Sequence, residues 1–315
     1  MAEIGTEISK ASRLLENNEL VAIPTETVYG LAGNALEPIA IARIYTTKNR
    51  PSFDPLITHV NNITNASALV NTFPALAHKL AEQFWPGPLT LLLPKRGHIP
   101  NILTSGFDKM AIRVPNHPIT LDLLKQISFP LAAPSANPFG YISPTTAAHV
   151  NQHLGTKIPY ILDGGPAHIG LESTIVSIEE EVICVHRLGG LDLEILRTFG
   201  EVKVLSSTKS NPEAPGNLDS HYAPKKKIII GNLDELLLKY SDSKTGILSF
   251  SKIYSNSNKN IVLSENNDVN EAAENLFSAL RTLDAEDIDL ILGEYAPQKG
   301  IGKAINDRLK RASFF

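Results

Sequence analysis

Residues 20–35 read LVAIPTETVYGLAGNA. The apolar run Leu20–Ile23 suits a buried strand, and Pro24 ends it because proline has no N–H to give to a sheet ladder. Thr25, Glu26 and Thr27 follow at once, then Tyr29 and the glycines Gly30 and Gly33. Small polar chemistry crowded onto the end of an apolar strand is what an α/β sheet presents where it meets a ligand.

Strand-like and helix-like runs alternate through residues 1–205. Helices are expected over 8–16, 38–45, 74–83, 118–127, 145–154 and 192–198. Strands are expected over 20–23, 56–60, 90–93, 110–114, 131–133, 160–162, 174–178 and 182–187. The whole N-terminal stretch MAEIGTEISKASRLLENNEL reads as one amphipathic helix. Hairpin-like neighbours among the strands argue for a mixed sheet in an α/β domain. Residues 206–226 begin SSTKSNPEAPGNLDSHYAP, rich in Ser, Pro and Asn, and read as a linker. Residues 227–315 then run strand, helix, strand, helix, strand, helix, a small parallel-sheet domain.

The bulk numbers restrict the function. The 315 residues are 43% hydrophobic and 20% charged, a globular composition. Residues 1–205 carry 15 Lys and Arg against 18 Asp and Glu, and the remainder 14 against 15, so neither part has the basic footprint of a nucleic-acid binder. One cysteine, Cys184, rules out an internal disulfide or a cysteine zinc site and fits a reducing cytoplasm. The N-terminus lacks a basic region followed by an apolar core, so no signal peptide is expected. No window approaches 18 unbroken apolar residues, so no membrane span is expected either.

The standard phosphate loops and the G-x-S-x-G elbow are missing. Other candidates stand at strand ends. Lys48 and Arg50 close a helix broken by Pro51; they serve either the helix dipole or a cationic clamp for phosphate. Arg113 lies inside the apolar run AIRVP and faces either solvent or a cavity with a paired anion. Ser135 and Asn137 follow the strand at 131–133. Ser143 and Pro144 read as N-cap and first residue of the next helix. Ser173 begins a strand after a glycine-rich loop, and Arg187 ends another before Gly189 and Gly190. His149 and His153 have metal-compatible spacing but no third ligand nearby. Hydroxyls at Thr27, Ser135, Ser143 and Ser173, with cations at Lys48, Arg50, Arg113 and Arg187, suit a small polar substrate beside a polyanion. With no reactive nucleophile among them, catalysis is by positioning and charge stabilisation.

IPTETVYGL, the K-x-R-P-x-x-x-P-L segment, IRVP, PSAN with SPT, ESTIV and the late HYAP stand in order across about residues 20–224, and together they resemble the YrdC-type L-threonylcarbamoyladenylate synthases. The C-terminal GIGKAINDRLKRAS is similar to the extra domain of their long form. The resemblance implies a YrdC-like twisted mixed sheet with flanking helices and a central cavity, plus a small Rossmann-like parallel α/β C-terminal domain. It makes 1–205 the catalytic domain and 206–226 a linker folding over the active site. It implies that L-threonine, bicarbonate and ATP become threonylcarbamoyl-AMP and pyrophosphate, for N6-threonylcarbamoyladenosine beside the tRNA anticodon. By motif, Thr27, His59, Arg113, Ala133 and Ser173 hold threonine. Lys48, Arg50, Asp54, Lys109, Ser135, Asn137, Ser143, Arg187 and Tyr222 hold ATP, with Mg2+ carried mainly by the triphosphate. A downstream transferase is the implied partner, with tRNA contacted indirectly and no membrane involved.

Two positions depart from the family pattern. Asp54 stands where Asn is common, and the linker lacks the usual basic residues before His221 and Tyr222. Two other readings compete. A hydrogenase-maturing carbamoyltransferase shares the domain but also carries zinc-finger cysteines, which this chain lacks. A non-enzymatic RNA-binding module in tRNA or ribosome maturation needs a basic surface that the acidic totals disfavour.

Overall fold

A computed structural model describes residues 1–205, 222–254 and 259–313. The chain opens with β1 (Glu3–Gly5), α1 (Ile8–Glu16), β2 (Val21–Ile23) and β3 (Gly30–Asn34). There follow α2 (Pro38–Lys48), β4 (Ile57–His59), α3 (Ile63–Ser67), α4 (Ala75–Phe84), β5 (Leu89–Pro94) and β6 (Lys109–Arg113). Then come α5 (Pro118–Gln126), β7 (Leu131–Ala132), α6 (Ala147–Leu154), β8 (Tyr160–Leu162), β9 (Thr174–Glu179), β10 (Val182–Arg187), α7 (Leu193–Arg197) and β11 (Val202–Val204). The C-terminal part contains β12 (Lys227–Ile230), α8 (Leu233–Lys239), β13 (Thr245–Ser249), β14 (Lys259–Val262), α9 (Val269–Ala285), β15 (Leu290–Gly293) and α10 (Gly302–Ala312).

The first eleven strands form one mixed sheet in the order β1-β8-β2-β3-β7-β4-β6-β5-β9-β10-β11. The last four form a second sheet, β12-β15-β13-β14, whose pairs are all parallel. This is the α/β architecture with a smaller parallel sheet that the sequence pattern implied. The expected linker falls mostly, over 206–221, outside the described residues. No described helix is long and apolar enough to cross a membrane.

Three expectations change. The N-terminal stretch is not one helix: residues 3–5 pair in parallel with β8, Glu3 opposite Tyr160, and α1 starts only at Ile8. The glycine-rich run 30–34 is a fully buried strand that pairs with both β2 and β7. Glycine is a poor strand former on its own, but a Cβ on Gly30 would lie 3.2 Å from the Ala133 Cβ, so close sheet contacts select it. Ser143 is not an N-cap: α6 begins at Ala147 and is capped by Thr146, whose Oγ1 accepts from the His149 amide.

Each sheet has apolar clusters of its own, and one further cluster bridges the two parts. The bridging cluster joins Val28, Ile142, Leu171 and Tyr222 to Phe277, Leu280, Ile305 and Leu309 of α9 and α10. Apolar surface of the C-terminal helices thus covers the loops that carry the polar motifs, a burial of the kind that drives association of domains.

Candidate active site

The turn after β2 is built by its own side chains. Thr25 Oγ1 donates to the Val28 carbonyl (2.6 Å) and accepts from the Thr27 and Val28 amides, the local hydroxyl-to-backbone pattern that fixes such turns. Thr120 Oγ1 on α5 donates to the Pro24 carbonyl. The polar cluster that ends the strand therefore has one conformation, with Thr27 fully buried and pointing along a cavity wall.

That cavity encloses about 550 Å3 of non-atom space, part of it open to solvent. It is lined from the carboxyl ends of β4, β6 and β10 and the residue before β9, and also from Gly30 at the amino end of β3 with Ala133 and Ser135 just past β7. Register explains why. His59 and Arg113 are cross-strand partners at the carboxyl ends of the parallel pair β4–β6. Gly30 bridges Ser135. Arg187, ending β10, lies against the start of antiparallel β9.

Nine of the residues singled out from sequence line this cavity: Thr27, Arg50, His59, Arg113, Ala133, Ser135, Ser173, Arg187 and Tyr222. The other five do not. Lys48 is buried behind the wall, its Nζ donating to the Ser135 and Asn137 carbonyls at 2.5 Å each. Burial, with Arg50 nearby, holds the Lys48 ammonium well below the ordinary lysine range. Asn137 serves the same loop, donating to the Pro138 and Tyr141 carbonyls. Ser143 donates to Glu172 Oε1 at 2.5 Å. Asp54 is paired with Arg50. Lys109 begins the strand that Arg113 ends, roughly 13 Å away at ~3.3 Å per residue. It pairs there with Glu179 at 3.3 Å on the surface.

Each cavity arginine is held by specific acceptors. Arg113 Nη1 donates to Thr27 Oγ1 (2.8 Å), Nε donates to the Gly87 carbonyl (3.1 Å), and Nη2 meets Glu26 Oε2 at 2.7 Å. Arg50 Nη2 lies 2.8 Å from Asp54 Oδ1 and donates to the Pro55 carbonyl, while its Nε donates to the Asp54 carbonyl. Asp54 is fully buried, so the departure from the family pattern is an arginine-positioning carboxylate. Arg187 donates to the Ser173 carbonyl through Nε and Nη2, and to Ser173 Oγ. Ser173 Oγ in turn shares a 2.7 Å hydrogen bond with Thr90. Burial lowers Arg187 below its ordinary value against the raising pull of Tyr222 and Glu172.

His59 is neutral at working pH, pushed down to about 3 by burial and by the charge of Arg113. Its Nδ1 is buried with no hydrogen-bond partner among the described residues. Among those residues no group of three His, Cys, Asp or Glu could hold a metal, which leaves the His149–His153 pair without a third ligand. His149 instead lies 3.3 Å from the Thr145 hydroxyl.

Neither Glu26, noted from sequence only as part of the polar cluster after Pro24, nor Glu172, present only as a letter of ESTIV, was assigned a role in the site. Glu172 lines the cavity itself, a carboxylate among cations. Its backbone is pinned by Gly190, whose amide donates to the Glu172 carbonyl, and by Gly189, where a Cβ would fall 2.2 Å from that carbonyl oxygen.

Residues 13–189 match the Sua5_yciO_yrdC family model, described as telomere recombination. Residues 179–313 match the threonylcarbamoyl-AMP synthase C-terminal domain. The threonylcarbamoyl-AMP synthase of Pyrococcus abyssi is 39% identical over 98% of this chain and 94% of its own. That of Bacillus subtilis is 38% identical over 98% and 93%. The crystal structure of P. abyssi Sua5 complexed with L-threonine superposes with a TM-score of 0.94, at 38% identity, over 99% of this chain and 97% of that one. With two family models matched in order and relatives 38–39% identical along nearly the whole chain, the chain belongs to the Sua5/YrdC family of threonylcarbamoyl-AMP synthases.

Proposed function

We propose that this chain joins L-threonine, bicarbonate and ATP into threonylcarbamoyl-AMP with release of pyrophosphate. The observation that carries the reading is Arg113 beside Thr27 and His59 in a cavity that also takes in Arg50 and Arg187. An arginine fork suits an amino-acid carboxylate. In this reading the threonine carboxylate approaches Arg113 and competes with Glu26 for it. Neutral His59, with its unpartnered Nδ1, and Thr27 receive the polar groups of the amino acid. Ala133 and Ser173 complete that wall.

ATP takes the side lined by Arg50, Ser135, Arg187 and Tyr222. Bicarbonate loses hydroxide to give CO2, the threonine amine adds to its carbon, and the amine proton and that hydroxide leave as water, giving a carbamate. A carbamate oxygen attacks the α-phosphorus, and the α–β bridging bond breaks as pyrophosphate leaves. Arg50 and Arg187 offset the charge that grows on the leaving group, the kind of stabilisation that contributes most to such reactions. The described residues offer no carboxylate cluster for a metal, since Asp54 and Glu26 each face an arginine, so any Mg2+ arrives on the triphosphate and no step depends on a protein site for it. The product passes to a tRNA threonylcarbamoyl transferase in the cytoplasm.

Carbon-13 bicarbonate tests the reading. The adenylate product, identified by mass spectrometry, is expected to carry the label and to lose it when unlabelled bicarbonate is supplied. An adenylate without that carbon would refute it.

A further inference from the structure

The C-terminal domain reaches the cavity through two buried arginines. Arg281 of α9 donates to the Ile142 and Ser143 carbonyls and lies over the Tyr141 ring. Arg308 of α10 is 0% exposed; its Nε donates to Glu172 Oε2 at 3.0 Å and its Nη2 to the Leu188 carbonyl at 2.7 Å. Its guanidinium also sits 4.9 Å from the centre of the Tyr222 ring, which stacks on Phe277 of α9. Glu172 and Tyr222 both line the cavity.

Glu172 is out of place in a pocket for a polyanion unless its charge is spent elsewhere. A carboxylate beside a triphosphate repels it, and a buried carboxylate without a partner is costly. Here one oxygen is taken by Ser143 and the other by Arg308. The remaining cations on that side, Arg187 and the buried Lys48, are held by the Ser173, Ser135 and Asn137 carbonyls. Arg308, from a different domain, is the charged group in direct contact with Glu172; its Nη1 also meets Asp307 Oδ2 at 2.6 Å, a carboxylate that Arg311 shares.

Resting on the reading above, we propose that Arg308 is a positioning residue of the synthase cavity: it holds the Glu172 carboxylate against the wall and neutralises it, so that a triphosphate can occupy the space beside it. The C-terminal domain thereby sets nucleotide affinity without touching the nucleotide.

Calorimetric titration of the full chain with a non-hydrolysable ATP analogue, and separately with threonine, tests this. Arg308→Met is expected to raise the analogue Kd roughly tenfold or more, the scale of one charge-assisted hydrogen bond. Threonine binding should stay within about twofold. The decisive readout is rescue: removing the uncovered charge in Arg308→Met/Glu172→Gln should bring the analogue Kd back to within about threefold of wild type, which a merely structural role for Arg308 does not predict. Arg308→Lys, which keeps the charge, should fall between, and serves if Arg308→Met does not fold. Unchanged analogue binding in Arg308→Met, or in Arg308→Lys where that is the variant that folds, overturns the proposal, as does a double variant no better than Arg308→Met. Wild-type protein that binds the analogue but releases no pyrophosphate contradicts the synthase reading and leaves this comparison standing; wild-type protein that does not bind it contradicts both.

Discussion

The two walls of the cavity are held in different ways. On the Arg113 wall every support is internal to the large sheet: Thr27 and Glu26 from the turn after β2, the Gly87 carbonyl before β5, and His59 in register on β4. On the Glu172 wall the Ser143 hydroxyl and the Gly190 amide are joined by supports from outside the large sheet, Arg308 and Arg281 from the C-terminal helices and Phe277 against Tyr222. The first wall is fixed when the sheet folds. The second is complete only when the C-terminal domain is docked. Amino-acid recognition and nucleotide recognition should therefore respond to different mutations.

The largest effect is expected where both stability and chemistry depend on one pair. Arg50→Ala should cut pyrophosphate release by roughly a hundredfold or more. It also removes the guanidinium that lies 2.8 Å from fully buried Asp54, and breaking a buried pair costs about 3–5 kcal/mol. Arg50→Ala/Asp54→Asn should recover the melting temperature but not the rate. Recovery of both would assign Arg50 to structure alone.

Next, Arg113→Met in a Glu26→Gln background, which avoids stranding the buried acid, should raise the threonine KM by roughly 10–100-fold. The ATP KM should hardly change. Parallel shifts in both would erase the distinction between the walls.

Acidity should weaken the protein through its histidines. His59 sits at about 3 in the fold and near 6.5 unfolded, so between these values the unfolded chain binds the extra proton. Stability from this group is complete above pH ~6.5 and falls with pH by up to about 1.4 kcal/mol per unit. Denaturant melts of wild type and His59→Gln across pH 4–7 should show a shallower slope in the variant. Equal slopes would place His59 outside the account of acid sensitivity.

The smallest effect is expected at Lys109. Its surface pair with Glu179 is worth ~0–1 kcal/mol, and Lys109→Ala should leave ATP affinity within about twofold. A large loss would show that the motif match is a better guide to the nucleotide site than the cavity wall.

What the sequence made legible follows from how local each signal is. The helix at 8–16 and the strands at 160–162 and 182–187 carry their own periodicity and appear with those bounds. Strand β3 was hidden because its reason for being extended lies in neighbours that reach it only in the sheet, such as Ala133. The edge strands β1 and β11, three residues each, and β14, with only intermediate burial, give too short or too weak an apolar alternation to read. The hydroxyls and cations at strand ends pointed to the cavity because a sheet gathers its strand ends. The roles of Asp54 and Lys48 were not readable, since nothing in K-x-R-P-x-x-x-P-L tells whether a charge faces the ligand or its neighbour. The Glu172–Arg308 pair joins residues 136 positions apart, across two domains, and no local pattern encodes it.

The central claim is that this one cavity brings threonine, bicarbonate and ATP together for adenylation. Pyrophosphate release by the wild-type chain, with threonine and bicarbonate omitted in turn, addresses it most directly. Release that requires both is the expected result. Release that proceeds at the same rate without threonine would contradict it.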